Sequence, residues 1–247
     1  MHELMAIFDE QVRRKPTWDG IERTDRVIRI DHPSWKGVLW SDLDESTADA
    51  AIAQEIERFK GLGKWEWKHY SYDKPADLPD RLRAAGFVAE PTETLLIAEI
   101  AKLPRSSPLP DGVELRDVED EAGIAGMMQA SDEGFGEVHN EAYGRETLKE
   151  IRAGRTRAVV AYAGDRPISA GRVEFYQGTD FAALFGGATV PDWRRKGVFR
   201  AIVAHRTAQA ADAGYRYLQT DASDDSRPIL ERLGFIPVGT TTPFVYR

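Results

Sequence analysis

"VPDWRRKGVFRAIVAHR", residues 190–206, sets six basic side chains, His205 included, around Gly197 in a chain of formal net charge -8. Val198, Ile202 and Val203 share one face of a helix predicted from about Gly197 to Ala213. Before it, "DFAALFGGATV" (180–190) reads as a strand weakened at Gly186 and Gly187, where a bulge or close backbone approach is expected. A strand, a turn and a helix in this order leave unpaired N–H groups and the positive end of the helix dipole at the turn. Gly197 lets the backbone come close to a phosphate, and Arg195, Lys196 and Arg200 add charge from the rim. A local anion site and a solvated helix start both fit these residues. Neither GxxxxGK[ST] nor GxGxxG occurs.

The 247 residues, 42% hydrophobic and 30% charged, describe a cored chain rather than a disordered one. The acidic balance argues against broad nucleic-acid binding, so any anion site is local. With no cysteine there is no disulfide, thiolate metal site or cysteine nucleophile. The five histidines show no HxxxH or HExxH spacing, so no metal is expected; His139 beside Asn140 reads best as a surface residue. "MHELMAIFDEQVRRKP" does not read as a signal peptide, and no apolar run suits a bilayer. The expected compartment is the cytoplasm, with no membrane partner.

"IAKLPRSSPLPDG" (100–112) reads as a break between two halves, which gives domains at 1–103 and 113–247 joined by a linker at 104–112. "LRAAGFVAEPTETLLI" from Leu82 echoes "LERLGFIPVGTTTPFV" from Leu230, with Gly86 on Gly234 and Phe87 on Phe235. Each copy predicts a short helix ended by a left-handed glycine, then a strand. In the second half two helical stretches precede a hairpin, "RAVVAYAGDRPISAGRVEFYQ", and the basic helix is followed by "YRYLQTDAS", a short helix and a final strand pair. In the first half "RVIRID", "GVLWSD", "WEWKHYSYD" and "TETLLIAEI" are predicted strands, with Trp65 and Trp67 as core residues. The class is mixed α/β.

"ATVPDWRRKGVFRAIV" resembles motif A, [QR]-x-x-G-x-[GA], of the GCN5-related N-acetyltransferases (GNATs), and "DASDDSRPILERLGF" resembles their motif B. The resemblance covers about 113–247. It implies the GNAT fold, a mixed and mostly antiparallel sheet flanked by helices, in two tandem GNAT-like domains. The first looks like a degenerate copy: its equivalent turn, "WSDLDESTADAA", carries Asp42, Asp44, Glu45 and Asp49, which repel a diphosphate.

The resemblance further implies transfer of an acetyl group from acetyl-CoA to a small-molecule primary amine by direct attack in a ternary complex. Ala188, Thr189 and Val190 would hold the pantetheine arm, with an N–H near Thr189 as oxyanion donor. Arg194, Arg195, Lys196, Gly197, Val198, Phe199 and Arg200 would form the pyrophosphate cradle. Phe199 stands where glycine or alanine is usual, and Leu230 where the family has its tyrosine acid; Ser223 stands where motif B has asparagine, and its hydroxyl can still donate a hydrogen bond to the pantetheine. Glu174 is the candidate base and Tyr176 a candidate acid; Glu133 and Glu137 would favour a cationic acceptor. A non-catalytic acyl-CoA-binding or sensing module is the alternative. Monomer and homodimer both fit.

Overall fold

The computed structural model describes residues 2–32 and 35–247. In chain order the elements begin with α1 (His2–Phe8), β1 (Ile21–Arg23), β2 (Val27–His32), β3 (Trp35–Ser41), α2 (Ala48–Arg58) and β4 (Trp65–Tyr70). Then come α3 (Leu78–Ala84), β5 (Val88–Ala89), β6 (Glu93–Glu99), β7 (Val113–Asp117), α4 (Glu121–Phe135) and α5 (Glu141–Arg152). The chain continues with β8 (Thr156–Ala163), β9 (Arg166–Phe175), β10 (Phe181–Thr189) and α6 (Val198–Asp212). It finishes with β11 (Tyr217–Ala222), α7 (Arg227–Leu233) and β12 (Ile236–Tyr246).

Two compact units divide the chain, and neither is a continuous stretch. The first takes the chain up to Leu96 with Asp221–Pro228 and Ile236–Arg247; the second takes Ile97–Thr220 and Ile229–Phe235. The spatial division therefore differs from the sequential one read at 104–112, a segment without helix or strand that lies inside the second unit. The cause is β12. Instead of the expected closing strand pair, this single strand lies antiparallel to β4 from Thr241↔Tyr70 to Tyr246↔Trp65, and also meets β5. A strand's apolar pattern states that it needs a partner and not which one.

In the first unit the strand order is β1-β2-β3-β4-β12-β6, and β3 and β4 are parallel. Period-2 alternation turns Trp65 and Trp67 inward, onto Val38, Ile52, Leu78, Leu82 and Phe244. Phe59 stacks on Trp65 with ring centroids 4.5 Å apart, and Phe87 meets its edge at 4.9 Å. These tryptophans are core, as expected.

In the second unit the order is β11-β10-β9-β8-β7, antiparallel except for β10 and β11. Alternation along β8 explains the layers: Ala158 and Val160 pack with α4 and α5, Val159 and Ala161 with Val198 and Ile202 of α6. The predicted hairpin is β8–β9, turning at Gly164.

The two echoed segments share one geometry. Gly86 (φ 99°) and Gly234 (φ 113°) are both left-handed. Phe87 N–H donates to Leu82 O at 3.0 Å, and Phe235 N–H to Leu230 O at 3.1 Å, the 6→1 bond of a Schellman cap in each. Leu230 is a buried anchor of that cap.

Candidate active site

The site is built where β10 stops behaving as a regular strand. Its parallel ladder with β11 runs Phe181↔Tyr217, Ala182↔Leu218 and Ala183↔Gln219, after which the Thr220 hydroxyl donates to Leu184 O at 3.0 Å. On the other edge, the register with β9 shifts between Phe185 and Ala188, the bulge expected at Gly186 and Gly187. Gly186 is left-handed at φ 59°. A Cβ on Gly186 would lie 3.0 Å from Arg172 Nη1, and one on Gly187 would lie 3.0 Å from Phe199 Cε2. Beyond the bulge, Val190 N–H donates to Ile168 O on β9 at 3.0 Å. Strand alternation therefore turns Thr189 N–H away from β9.

The basic turn follows at once. Arg195 (φ 64°) and Gly197 (φ 91°) are left-handed, and Arg195 is the one non-glycine at positive φ among the described residues. The helical ladder of α6 begins with Ala201 N–H donating to Gly197 O, leaving the N–H groups of 195–200 at the helix start. Arg195, Lys196 and Arg200 are exposed, with Lys196 Nζ 4.6 Å from the centre of the Trp193 ring. Val198 is fully buried and anchors the helix from below.

Arg194 has a different job from its neighbours. Its Nε donates to Thr189 O at 3.1 Å and its Nη2 to Gly134 O at 2.7 Å. It is a strut between the end of β10 and the end of α4. Gly134 makes that approach possible, because a Cβ there would lie 2.8 Å from Ala188 Cβ.

A polar chain reaches the bulge from the α4–α5 connection. His139 Nδ1 lies 2.5 Å from Asp132 Oδ1, and its ring packs on Tyr143 with centroids 4.6 Å apart. Arg172 Nη1 donates to the Tyr143 hydroxyl at 2.6 Å, and its Nε to Glu174 Oε1 at 2.8 Å. Burial, the largest influence on Arg172, disfavours its charge, but Glu174 and Tyr143 outweigh it and the net shift is upward. His139 thus has a partner and a place in a network, where the sequence suggested a surface residue. Tyr143 and Arg172 carried no signal of their own in the sequence.

The other expected site residues have partners of their own or stand exposed. Tyr176 is buried beside Phe181, its hydroxyl accepting from Gln219 Nε2 at 3.1 Å. Gln219 is opposite Ala183 on β10, and Tyr176 is among the groups that raise the Arg172 guanidinium. Glu133 is held by Arg166 at 2.7 Å, in an exposed group with Asp192; Glu137 is exposed. Ser223, in the first unit, accepts from Arg227 N–H through its carbonyl and so caps α7. At the start of α2, where the first half has its equivalent turn, Asp44 Oδ1 accepts from Ser46 N–H, Ser46 Oγ and Thr47 Oγ1 at 2.7–2.9 Å. That turn supplies its own anion.

Residues 117–244, just over half of the chain, match the sequence model described as "Acetyltransferase (GNAT) domain". The chain belongs to the GNAT acetyltransferase family. Its fold agrees with solved GNAT structures across nearly its whole length. A GCN5-related N-acetyltransferase from Kribbella flavida aligns with a TM-score of 0.72 at 15% identity, covering 98% of this chain and 94% of that one. One from Sphaerobacter thermophilus gives 0.66 at 11%, covering 96% and 84%. A tandem GNAT protein from the clavulanic acid biosynthesis pathway gives 0.62 at 14%, covering 91% and 80%. At such identities the likeness is one of fold. A search of curated protein sequences gave no match. No helix of the described residues is long and apolar enough to cross a membrane, and no group of three metal-ligating side chains occurs among them.

Proposed function

We propose that the second unit binds acetyl-CoA and transfers its acetyl group to a primary amine of a small molecule. The observation that carries this reading is the pair of features on either side of Val190: a bulged strand and a helix start with two left-handed residues and the exposed cations Arg195, Lys196 and Arg200. The donor groups fit the molecule. N–H groups 195–200 and the flanking Arg195, Lys196 and Arg200 suit the diphosphate, and the outward N–H of Thr189 suits a thioester or amide carbonyl. The first unit, with Asp44 in the equivalent turn, is left without a cradle and serves as a degenerate, structural GNAT-like half.

In this reading Gly134 and Arg194 hold the α4–α5 connection against the strand that carries the acyl group. The amine nitrogen attacks the thioester carbon, the C–N bond forms, and the C–S bond then breaks to release CoA thiolate. Glu174, with one oxygen on Arg172, takes the amine proton through its other oxygen. The thiolate needs no strong acid: a thiol with a reference pKa near 8.5 leaves tolerably well near neutral pH, and positioned proton donation is worth ~10²- to 10⁴-fold. Leu230 is therefore compatible with turnover. Because Glu133 is paired with Arg166, Glu137 alone is left to favour a cationic acceptor, and a neutral or weakly basic amine fits equally well.

The test follows thiol release from acetyl-CoA over a panel of primary amines. Amine-dependent release supports transfer. Binding of acetyl-CoA with no release over the panel supports the alternative, a non-catalytic sensing module.

A further inference from the structure

Arg206 is the most deeply buried charge of the second unit, 2% exposed, on the sheet-facing side of α6. No carboxylate among the described residues pairs with it. Its Nη1 donates to Arg172 O at 3.0 Å and to Phe185 O at 3.2 Å, and its Nε to Ile202 O at 3.3 Å. Phe185 and Arg172 are the last regular pair before the bulge. Two glycines make room for the group. A Cβ on Gly171 would lie 2.8 Å from Arg206 Cζ, and one on Gly187 would lie 3.3 Å from its Nη2. Burial, with Arg172 nearby, pushes the guanidinium down to about 9, so it is still charged at neutral pH.

The first unit supplies a comparison within the same chain. There β3 also shifts register against β2, with Leu39 the extra residue, and a buried arginine, Arg13, donates to Leu39 O at 3.3 Å. Arg13, however, is neutralised by Asp9 at 2.7 Å and Asp73 at 2.8 Å. A buried guanidinium on a bulge carbonyl can thus be given carboxylates in this architecture. Under β10 it has none. Keeping an uncompensated charge in the interior is costly for folding, so its persistence points to a negative charge that appears there only transiently.

Resting on the acyl-transfer reading, we propose that Arg206 is a positioning residue for the acyl group. It pins the carbonyls of Phe185 and Arg172 so that the bulge presents its outward N–H groups to the thioester oxygen, and its unneutralised charge favours the oxyanion formed there. As the amine nitrogen bonds to the carbonyl carbon, that oxygen takes the negative charge. When the charge returns to the carbonyl, the C–S bond breaks and the electron pair leaves with CoA thiolate, which solvent protonates. Preorganised charge of this kind acts on the transition state more than on ground-state binding.

The experiment reads the carbonyl directly and needs no acceptor. The infrared stretch of [1-¹³C]acetyl-CoA is recorded free, bound to the wild-type protein, and bound to Arg206→Gln and Arg206→Lys, with melting temperature and acetyl-CoA Kd measured in parallel. The expected result is a stretch lowered on binding to wild type. It should return at least halfway to the free value in Arg206→Gln, with Kd changed less than about fivefold, and partway in Arg206→Lys, which keeps the charge but not both carbonyl contacts. With an amine that supports turnover, kcat in Arg206→Gln should fall about 100-fold with KM nearly constant. A wild-type stretch in either folded variant would overturn the inference, and if Arg206→Gln does not fold, Arg206→Lys alone decides. A wild-type protein that binds acetyl-CoA without shifting its carbonyl overturns this inference alone. One that binds none overturns the acyl-transfer reading beneath it.

Discussion

Phe199 and Gly187 are in contact across the gap between α6 and the bulge: a methyl group on Gly187 would sit 3.0 Å from Phe199 Cε2. The residue that departs from motif A is thus accommodated by a glycine on the facing strand, and its ring points to the sheet rather than to the turn. A cradle made of backbone N–H groups does not depend on that ring. Phe199→Ala should therefore lower stability by about 1–3 kcal/mol through lost packing, somewhat less than a fully buried phenylalanine costs. Acetyl-CoA affinity should stay within about threefold, checked by thermal melts and calorimetry. An affinity loss beyond tenfold would assign the ring to the ligand.

Arg194 should behave as a strut and not as a phosphate ligand. Arg194→Ala removes two bonds from a charged donor to carbonyls, each worth about 1.5–3 kcal/mol at most, and loosens α4 from β10. Acetyl-CoA binding should weaken by about tenfold, with a salt dependence like that of wild type. Loss of part of the salt dependence, as from a direct phosphate contact, would contradict the strut.

Gly86→Ala and Gly234→Ala should each destabilise by about 1–2 kcal/mol, because an L-residue is disfavoured at positive φ. In both, the nearest side chain stands at 3.4 Å, ordinary contact, so backbone conformation and not crowding sets the cost. Denaturant titration checks both; a large difference between them would break the equivalence of the two caps.

Glu93 carries the pH prediction. Burial, with Asp221 adding repulsion, pushes its carboxyl up to about 7, against an ordinary value of 4.5. A carboxylate raised on folding leaves stability intact below its unfolded value, and stability falls as pH rises from about 4.5 through 7. Glu93→Gln should thus melt with wild type at pH 4 and above it at pH 8. Equal melting temperatures at both would mean that Glu93 ionises without penalty.

How far the sequence could be read follows the range of the interactions. The left-handed glycines of the caps, the β8–β9 turn and the bulge at Gly186–Gly187 are local, and "AGF", "LGF", "GDRP" and "FGG" announce them. The basic turn was legible for the same reason. The placement of β12 beside β4 was not, since its paired residues lie 171 (Thr241 and Tyr70) to 181 (Tyr246 and Trp65) apart in sequence. Arg206 left a trace: it falls four residues after Ile202 on the apolar face of a predicted helix, where a charge is anomalous. The link from Tyr143 to Arg172 joins α5 to β9 and has no local pattern. Arg194, one of a run of cations, could not be told from its neighbours before its two carbonyl partners were known.

The most direct measurement is calorimetric titration of acetyl-CoA into wild-type protein and into the double variant Lys196→Glu, Gly197→Asp. The expected result is one site per chain for wild type and no measurable binding for the variant, with unchanged circular dichroism. Two negative charges would then stand at the helix start, and a side chain would occupy the left-handed Gly197. Equal affinity in both proteins would mean that residues 195–200 are a solvated helix start and do not hold the ligand; no binding to wild type would mean that this chain shares the GNAT fold without its ligand.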